Sequence, residues 1–109
     1  MLEGMDRIGY ADRRPYAVPG SLDELTGPVG GFVRLPAALA WTGRVEYDLD
    51  DDADRVVLYE RVVVEAPDVE TVTTLLDESV LRASWRRLFL PAAVRRAWEQ
   101  RFTDLASAA

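Results

Sequence analysis

The sequence predicts a single α+β domain, with a small N-terminal β-hairpin or meander followed by three or four helices in the C-terminal half. Apolar and polar residues alternate from Val45 to Leu49, which is the period of a half-buried strand. After residue 54 the apolar side chains recur every three to four residues, as in amphipathic helices. The chain has 109 residues, 49% of them hydrophobic, which is the size of one domain with one core. Residues 21–109 are predicted to form that domain.

Residues 1–20 are predicted to form a flexible or extended N-terminal arm. They mix charges, glycine and proline without a period. Ser21 followed by Glu24 fits a capping box and predicts a short helix that stops at Gly27-Pro28. The two glycines after it open an extended segment, Phe32 to Leu35.

The clearest strand, 45–49, is predicted to pair with the run at 38–41 just before it. Gly43 lies between the two runs and indicates a hairpin. A three-residue loop at 42–44 places apolar side chains opposite one another, whereas a two-residue loop places them opposite polar ones. The predicted register therefore sets Trp41 opposite Val45 and Leu39 opposite Tyr47.

An acidic run follows this strand and comprises Asp50, Asp51, Asp52 and Asp54. Aspartates cap free N–H groups and favour the positive end of a helix dipole, so the run predicts a helix start. A calcium loop beginning at Asp48 fits poorly. Its sixth position, where glycine is needed, is Ala53, and its twelfth, where a glutamate is needed, is Tyr59. We therefore expect no metal site and no cofactor.

Three or four helices are predicted after the acidic run. Residues 55–65 favour a helix ended by Pro67, although five valines in nine residues also suit a buried strand, and both alternatives stay open. Asp68 can cap a second helix, and a third covers about 77–88 with Leu81, Trp85 and Leu88 on one face. Pro91 is suited to the first position of the last helix. The apolar stripe of that helix comprises Val94, Trp98, Phe102 and Leu105.

The composition excludes several common kinds of catalytic site. Cysteine, histidine and lysine are absent, which removes disulfides, imidazole bases and the lysine of a phosphate-binding loop. No serine lies in a Gly-x-Ser-x-Gly pattern. We expect a protein that is not an enzyme. No run approaches the roughly 20 apolar residues of a membrane helix, and the first ten residues lack a signal-peptide core, so the expected location is the cytoplasm.

Charge is divided unevenly along the chain. Residues 45–79 carry twelve acidic side chains against two arginines, a net of −10, whereas residues 80–101 carry six arginines against one glutamate, a net of +5. The basic residues include Arg82, Arg86 and Arg87, on the face opposite the apolar stripe of their helix. These arginines either are solvated, face the acidic segment or form a partner surface. The overall net charge of −6 argues against a general nucleic-acid binder.

Five segments together resemble a family of short actinobacterial proteins that are often encoded beside nucleotidyltransferase toxins of the AbiEii type. The resemblance covers roughly residues 16–105, and its most specific part is the C-terminal segment. It implies a small antitoxin or toxin-partner role, and the family offers no catalytic residues to carry over. The segments are Tyr16 to Leu25, Leu35-Pro36 with Trp41 and Gly43, Tyr47 to Asp51, Leu58 to Glu60, and Trp85 to Phe102.

The leading hypothesis is therefore a non-enzymatic protein-binding partner, an antitoxin-like neutraliser of a nucleotidyltransferase toxin. An acidic partner can occupy the basic cleft that such a toxin needs and can steer its own association. One alternative is a nucleic-acid-associated transcriptional regulator that uses arginines 82, 86, 87, 95 and 96, and another is a structural homodimer. The predicted partner-binding residues are Asp50, Asp51, Asp52, Asp54, Arg82, Arg86 and Arg87.

Overall fold

A computed structural model describes residues 16–40 and 43–107, and these residues form the predicted α+β arrangement. A two-stranded antiparallel sheet on the N-terminal side is followed by five helices. The strands are β1 (Phe32–Arg34) and β2 (Glu46–Asp48), and the helices are α1 (Asp52–Glu65), α2 (Val69–Leu75), α3 (Glu78–Ser84), α4 (Ala92–Arg101) and α5 (Thr103–Ser107). Short 3-10 turns lie at Leu22–Glu24, Ala37–Leu39 and Trp85–Arg87.

The hairpin exists, but the predicted partner of its second strand is wrong. β2 pairs with β1, with Val33 opposite Tyr47, and not with residues 38–41. Residues Ala37–Leu39 form a 3-10 turn whose N-cap is Pro36, so Leu39 reaches the core from a turn and not from a strand. Proline supplies no backbone donor and alanine has little strand preference, which favours the turn here. Trp41 and Thr42 lie outside the described residues.

Residues 55–65 are helical, which settles the alternative between helix and strand. Helix α1 begins three residues earlier than predicted, at Asp52, and ends at Glu65. Its N-cap is Asp51, whose side chain accepts the N–H of Asp54. The valines do not prevent the helix because Leu58, Tyr59, Val62 and Val63 are buried together on its inner face.

The later helices begin within one residue of the predicted starts. Asp68 caps α2 by accepting the N–H of Thr71, and Asp77 caps α3 by accepting that of Val80. Pro91 is the N-cap of α4, one position before the predicted place. Helix α4 ends at Arg101, and the backbone of its C-cap, Phe102, leaves the helical region before the short α5.

One hydrophobic core joins all these elements. Trp85 and Trp98, both on predicted apolar helix faces, are fully buried in it with their ring centroids 5.8 Å apart. Ala17 also belongs to this core, and Tyr16 and Val18 pack against it. The last residues of the segment predicted as an arm therefore contact the domain, whereas residues 1–15 of that segment lie outside the described residues.

The segment after the first 3-10 turn packs against the α2–α3 junction through its backbone. The N–H of Gly27 donates to the carbonyl of Leu76, and Thr26 forms an isolated bridge with Asp77. A Cβ at Gly27 would lie 2.5 Å from the carbonyl carbon of Leu75. Glycine is therefore needed here for the close approach of two backbones.

Candidate partner-binding surface

The acidic run is fixed by local bonds, and each aspartate has a different partner. Asp50 Oδ2 accepts the N–H of Gly31 at 3.3 Å, which ties the helix start to the beginning of β1. Asp51 is the helix cap and accepts the N–H of Asp54 at 2.9 Å. The prediction that this run starts a helix is confirmed, with a single one of its aspartates serving as the N-cap.

Asp54 closes the outer edge of β2. Its Oδ2 accepts a hydrogen bond from the N–H of Asp48 at 2.9 Å and another from Arg44 Nη2 at 2.5 Å. The hydrogen bond from the Asp48 N–H is the main cause of the lowered pKa of Asp54, and the hydrogen bond from Arg44 lowers that pKa further. The side chain therefore stays ionised while it fastens the strand to the first turn of α1.

Asp52 joins the acidic run to the arginine segment. It accepts a hydrogen bond from Arg87 Nη1 at 2.9 Å and a second, shorter one from Arg87 Nη2, and it also pairs with Arg55. The bidentate guanidinium of Arg87 is the main cause of the lowered pKa of Asp52. The interpretation that acidic and basic segments face each other therefore holds for this pair.

The three predicted arginines do not form one patch. Arg82 lies between Glu78, at 3.0 Å, and Asp104, at 2.6 Å, whereas Arg87 reaches back to α1. Arg86 is exposed, and no carboxylate of residues 16–40 or 43–107 pairs with it. Because Arg95 also pairs with Glu99, three of the five arginines considered for nucleic acid are already held by carboxylates.

Sequence reasoning missed Phe89, the most exposed aromatic side chain among residues 16–40 and 43–107. It is 87% exposed, yet its backbone N–H donates to Glu60 Oε2 at 2.8 Å. Two residues earlier, Arg87 holds Asp52, so the loop is attached to α1 at two points. A signal was present in the string Leu88-Phe89-Leu90-Pro91, where proline ends the helical period and the apolar residues cannot all face the core.

A shallow apolar strip of α1 lies on the same face as the glutamate that holds the Phe89 loop. Positions 53, 57, 60 and 64 share one face of a helix because they are spaced by four, three and four residues. Val57 is 39% exposed, Ala53 is exposed and Val64 is partly buried. We call Phe89 with Ala53, Val57 and Glu60 the Phe89 surface. Asp52 and Arg87 lie at the border of this surface, near the start of α1.

Two further surface depressions of the described residues are small and mixed in character. A polar cleft of about 310 Å³ is lined by residues that include Asp23, Glu78, Arg82 and Arg101. A second cleft, of about 300 Å³, lies between Arg34 and Thr71. In the part of the chain that the structure describes, no group of three or more acidic side chains could hold a metal ion. Within the same residues, no helix has the length and apolar character needed to span a bilayer.

Comparison of the chain with protein-family models, with curated proteins and with solved structures gave no match.

Proposed function

We propose that this chain is a non-enzymatic cytoplasmic protein that binds another protein through the Phe89 surface and the adjoining acidic run. The observation that carries the proposal is the 87% exposure of Phe89 on a loop whose backbone is fixed to α1. A large aromatic ring held in water has no benefit for folding, since its apolar area stays hydrated. Aromatic side chains presented in a fixed position are typical centres of protein interfaces.

The fixed loop reduces the entropy that binding would cost. Glu60 holds the N–H of Phe89 and Asp52 holds the guanidinium of Arg87, so the backbone is already ordered before a partner arrives. Leu88, next to Phe89, is buried and fixes the loop to the hydrophobic core. The phenyl ring can therefore enter a partner's pocket with little reorganisation.

Charge defines the kind of partner. Asp50 and Asp51 are exposed at the start of α1 and pair with no arginine of the described residues, and the segment from 45 to 79 has a net charge of −10. Such a surface attracts a basic partner and raises its rate of encounter. Together with the sequence resemblance, this supports an antitoxin-like role toward a nucleotidyltransferase-type toxin, whose cleft for tRNA or nucleotides has to be basic.

The proposal is tested by co-expressing this chain with an AbiEii-type nucleotidyltransferase toxin and measuring complex formation and growth. We expect a stable complex and restored growth. Phe89→Ala should weaken the complex at least tenfold, because a central aromatic anchor contributes about 2 kcal/mol or more. The matched control is Phe32→Ala, which removes a second phenyl ring that is 77% exposed but lies in β1.

The electrostatic part has its own test in the pair of variants Asp50→Asn and Asp51→Asn. Asparagine keeps an acceptor oxygen for Gly31 and is as good an N-cap as aspartate, so both variants should remain folded. The association rate should fall and lose much of its dependence on salt. Absence of any complex, or full binding by Phe89→Ala, would show that this surface does not carry the function.

A further inference from the structure

The two-stranded sheet has one closed edge and one open edge. On the outer side of β2, the N–H of Asp48 donates to Asp54 and the carbonyl of Glu46 accepts from Arg44 Nε at 2.9 Å. Of the four outward-facing backbone groups of Glu46 and Asp48, these two are covered by side chains, and the carbonyl of Asp48 accepts the N–H of Asp51 at 3.0 Å. Side-chain covering of this kind blocks further strand pairing.

The outer side of β1 has no such covering among the described residues. Leu35 donates to Val45 and Leu49 donates to Gly31 across the sheet. Because ladder bonds in an antiparallel pair involve alternate residues, Val33 faces β2 in the same way. The N–H and C=O groups of Phe32 and Arg34 therefore point away from the sheet, and no bond to them is found within residues 16–40 and 43–107.

We infer that β1 of one copy pairs antiparallel with β1 of a second copy, joining the two sheets into one sheet of four strands in a two-fold symmetric homodimer. The open groups are self-complementary when Val33 lies on the two-fold axis. Phe32 of each copy then stands opposite Arg34 of the other, and both exchange their N–H and C=O groups. Four hydrogen bonds form, and no outward group of either strand is left unpaired.

The exposed side chains favour this register over its neighbours. Phe32 is 77% exposed, and Arg34 extends over the same face of the sheet, paired with Glu46 at 3.2 Å. In the proposed register each guanidinium lies beside the phenyl ring of the other copy, which allows a cation–π contact. A shift in one direction would set Arg34 opposite Arg34 and Phe32 opposite Pro36, which has no N–H.

A shift in the other direction is also disfavoured. It would set Phe32 opposite Phe32 and would require Gly30 to continue the strand opposite Arg34. Gly31 has a φ of +80°, which ends the extended backbone just before Phe32. That register could use the groups of Phe32 alone, whereas the register centred on Val33 uses those of both residues.

The first test is sedimentation velocity of the full chain over a range of concentrations. We expect a reversible monomer–dimer equilibrium. Phe32→Arg should weaken dimerisation at least tenfold, because it places two arginines side by side across the axis. The fold should tolerate this change, since the new arginine lies opposite Asp48 of its own sheet. Phe89→Arg is the matched control and should leave the dimer constant unchanged.

The register is tested by disulfide trapping, for which the cysteine-free chain is well suited. The double variant Phe32→Cys with Arg34→Cys should form a covalent dimer under mild oxidation, because opposed residues in such a pair are about 5.5 Å apart at Cα. Phe32→Cys alone should not form it. A wild-type chain that stays monomeric at every concentration overturns the inference, and so does efficient trapping by the single variant. A monomer whose Phe32 and Arg34 amides resist hydrogen exchange would show that a segment of the same chain covers the edge.

Discussion

The two buried tryptophans differ in one hydrogen bond, and this difference predicts how their replacement by phenylalanine affects stability. Trp85 and Trp98 are both fully buried and their rings pack against each other. The Trp85 indole N–H donates to Glu99 Oε2 at 2.8 Å. The Trp98 indole N–H is buried and has no partner within the described part of the chain.

We expect Trp85→Phe to lower the free energy of unfolding more than Trp98→Phe. Both changes remove the same volume from the core, so the cavity contributions are similar. Trp85→Phe also loses a hydrogen bond to a charged acceptor, worth about 1.5–3 kcal/mol, whereas Trp98→Phe removes an unpaired donor whose burial costs about 1–3 kcal/mol. The difference between the variants should therefore be at least about 2 kcal/mol.

The measurement is urea unfolding followed by far-ultraviolet circular dichroism, because fluorescence would change with each tryptophan removed. The slope of the unfolding free energy against urea should stay constant, which shows that the unfolded state is unaltered. A double-mutant cycle between Trp85→Phe and Glu99→Ala, which removes the acceptor, should give a coupling above about 0.5 kcal/mol. The reasoning is refuted if Trp98→Phe destabilises the protein as much as Trp85→Phe.

Three further predictions concern backbone packing and titrating groups. Gly27→Ala should lower the free energy of unfolding by about 1–3 kcal/mol, because its Cβ would overlap backbone atoms; Gly20→Ala, which meets only a flexible carboxylate at 3.3 Å, should have little effect in the same urea titration. Tyr59→Phe should cost about 1–3 kcal/mol because the Tyr59 hydroxyl accepts the N–H of Asp77. Burial raises the pKa of Tyr59 to about 12, so wild-type stability should fall between pH 10 and 12 and the variant should lack that loss. The pKa of the cap Asp68 is held below 3.8 chiefly by the hydrogen bond from the backbone N–H of Thr71, and that of the cap Asp77 chiefly by the hydrogen bond from the Ser79 hydroxyl. The free energy of unfolding should therefore decline as the pH falls below 3.8. An Asp77→Asn variant whose stability declines as steeply as that of the wild type would contradict this.

The helical half was predictable from the sequence because its signals are local. Each aspartate at a helix start satisfies the N–H group three residues away, so the cap Asp68 was predicted from the sequence. The acidic run and position 77 marked two more helix starts, although the caps Asp51 and Asp77 were not singled out. The stripe that ends in Phe102 and Leu105 is likewise buried as its spacing predicts. Both kinds of signal depend on neighbours within two or three turns.

The choice of strand partner needed the tertiary structure. Residues 32–35 and 38–41 offered similar apolar alternation, and the nearer run gave the shorter loop. The structure uses the more distant run because Pro36 and the alanines after it favour a 3-10 turn, and because Val33 is buried opposite Tyr47 in the pairing that forms. A pairing between residues this far apart leaves no periodic trace in the sequence.

The composition and spacing of the chain determined its single core, its α+β class and the positions of its helix starts, because these depend on local hydrogen bonds and on the burial of one face. The tertiary structure decided which charges meet and which apolar groups stay outside. Asp52 is paired with Arg87 from 35 residues away, and Phe89 is exposed because Leu88 and Glu60 fix its loop from both sides. The partner surface arises from contacts between distant segments, since only the packed chain brings α1 and the 87–89 loop together.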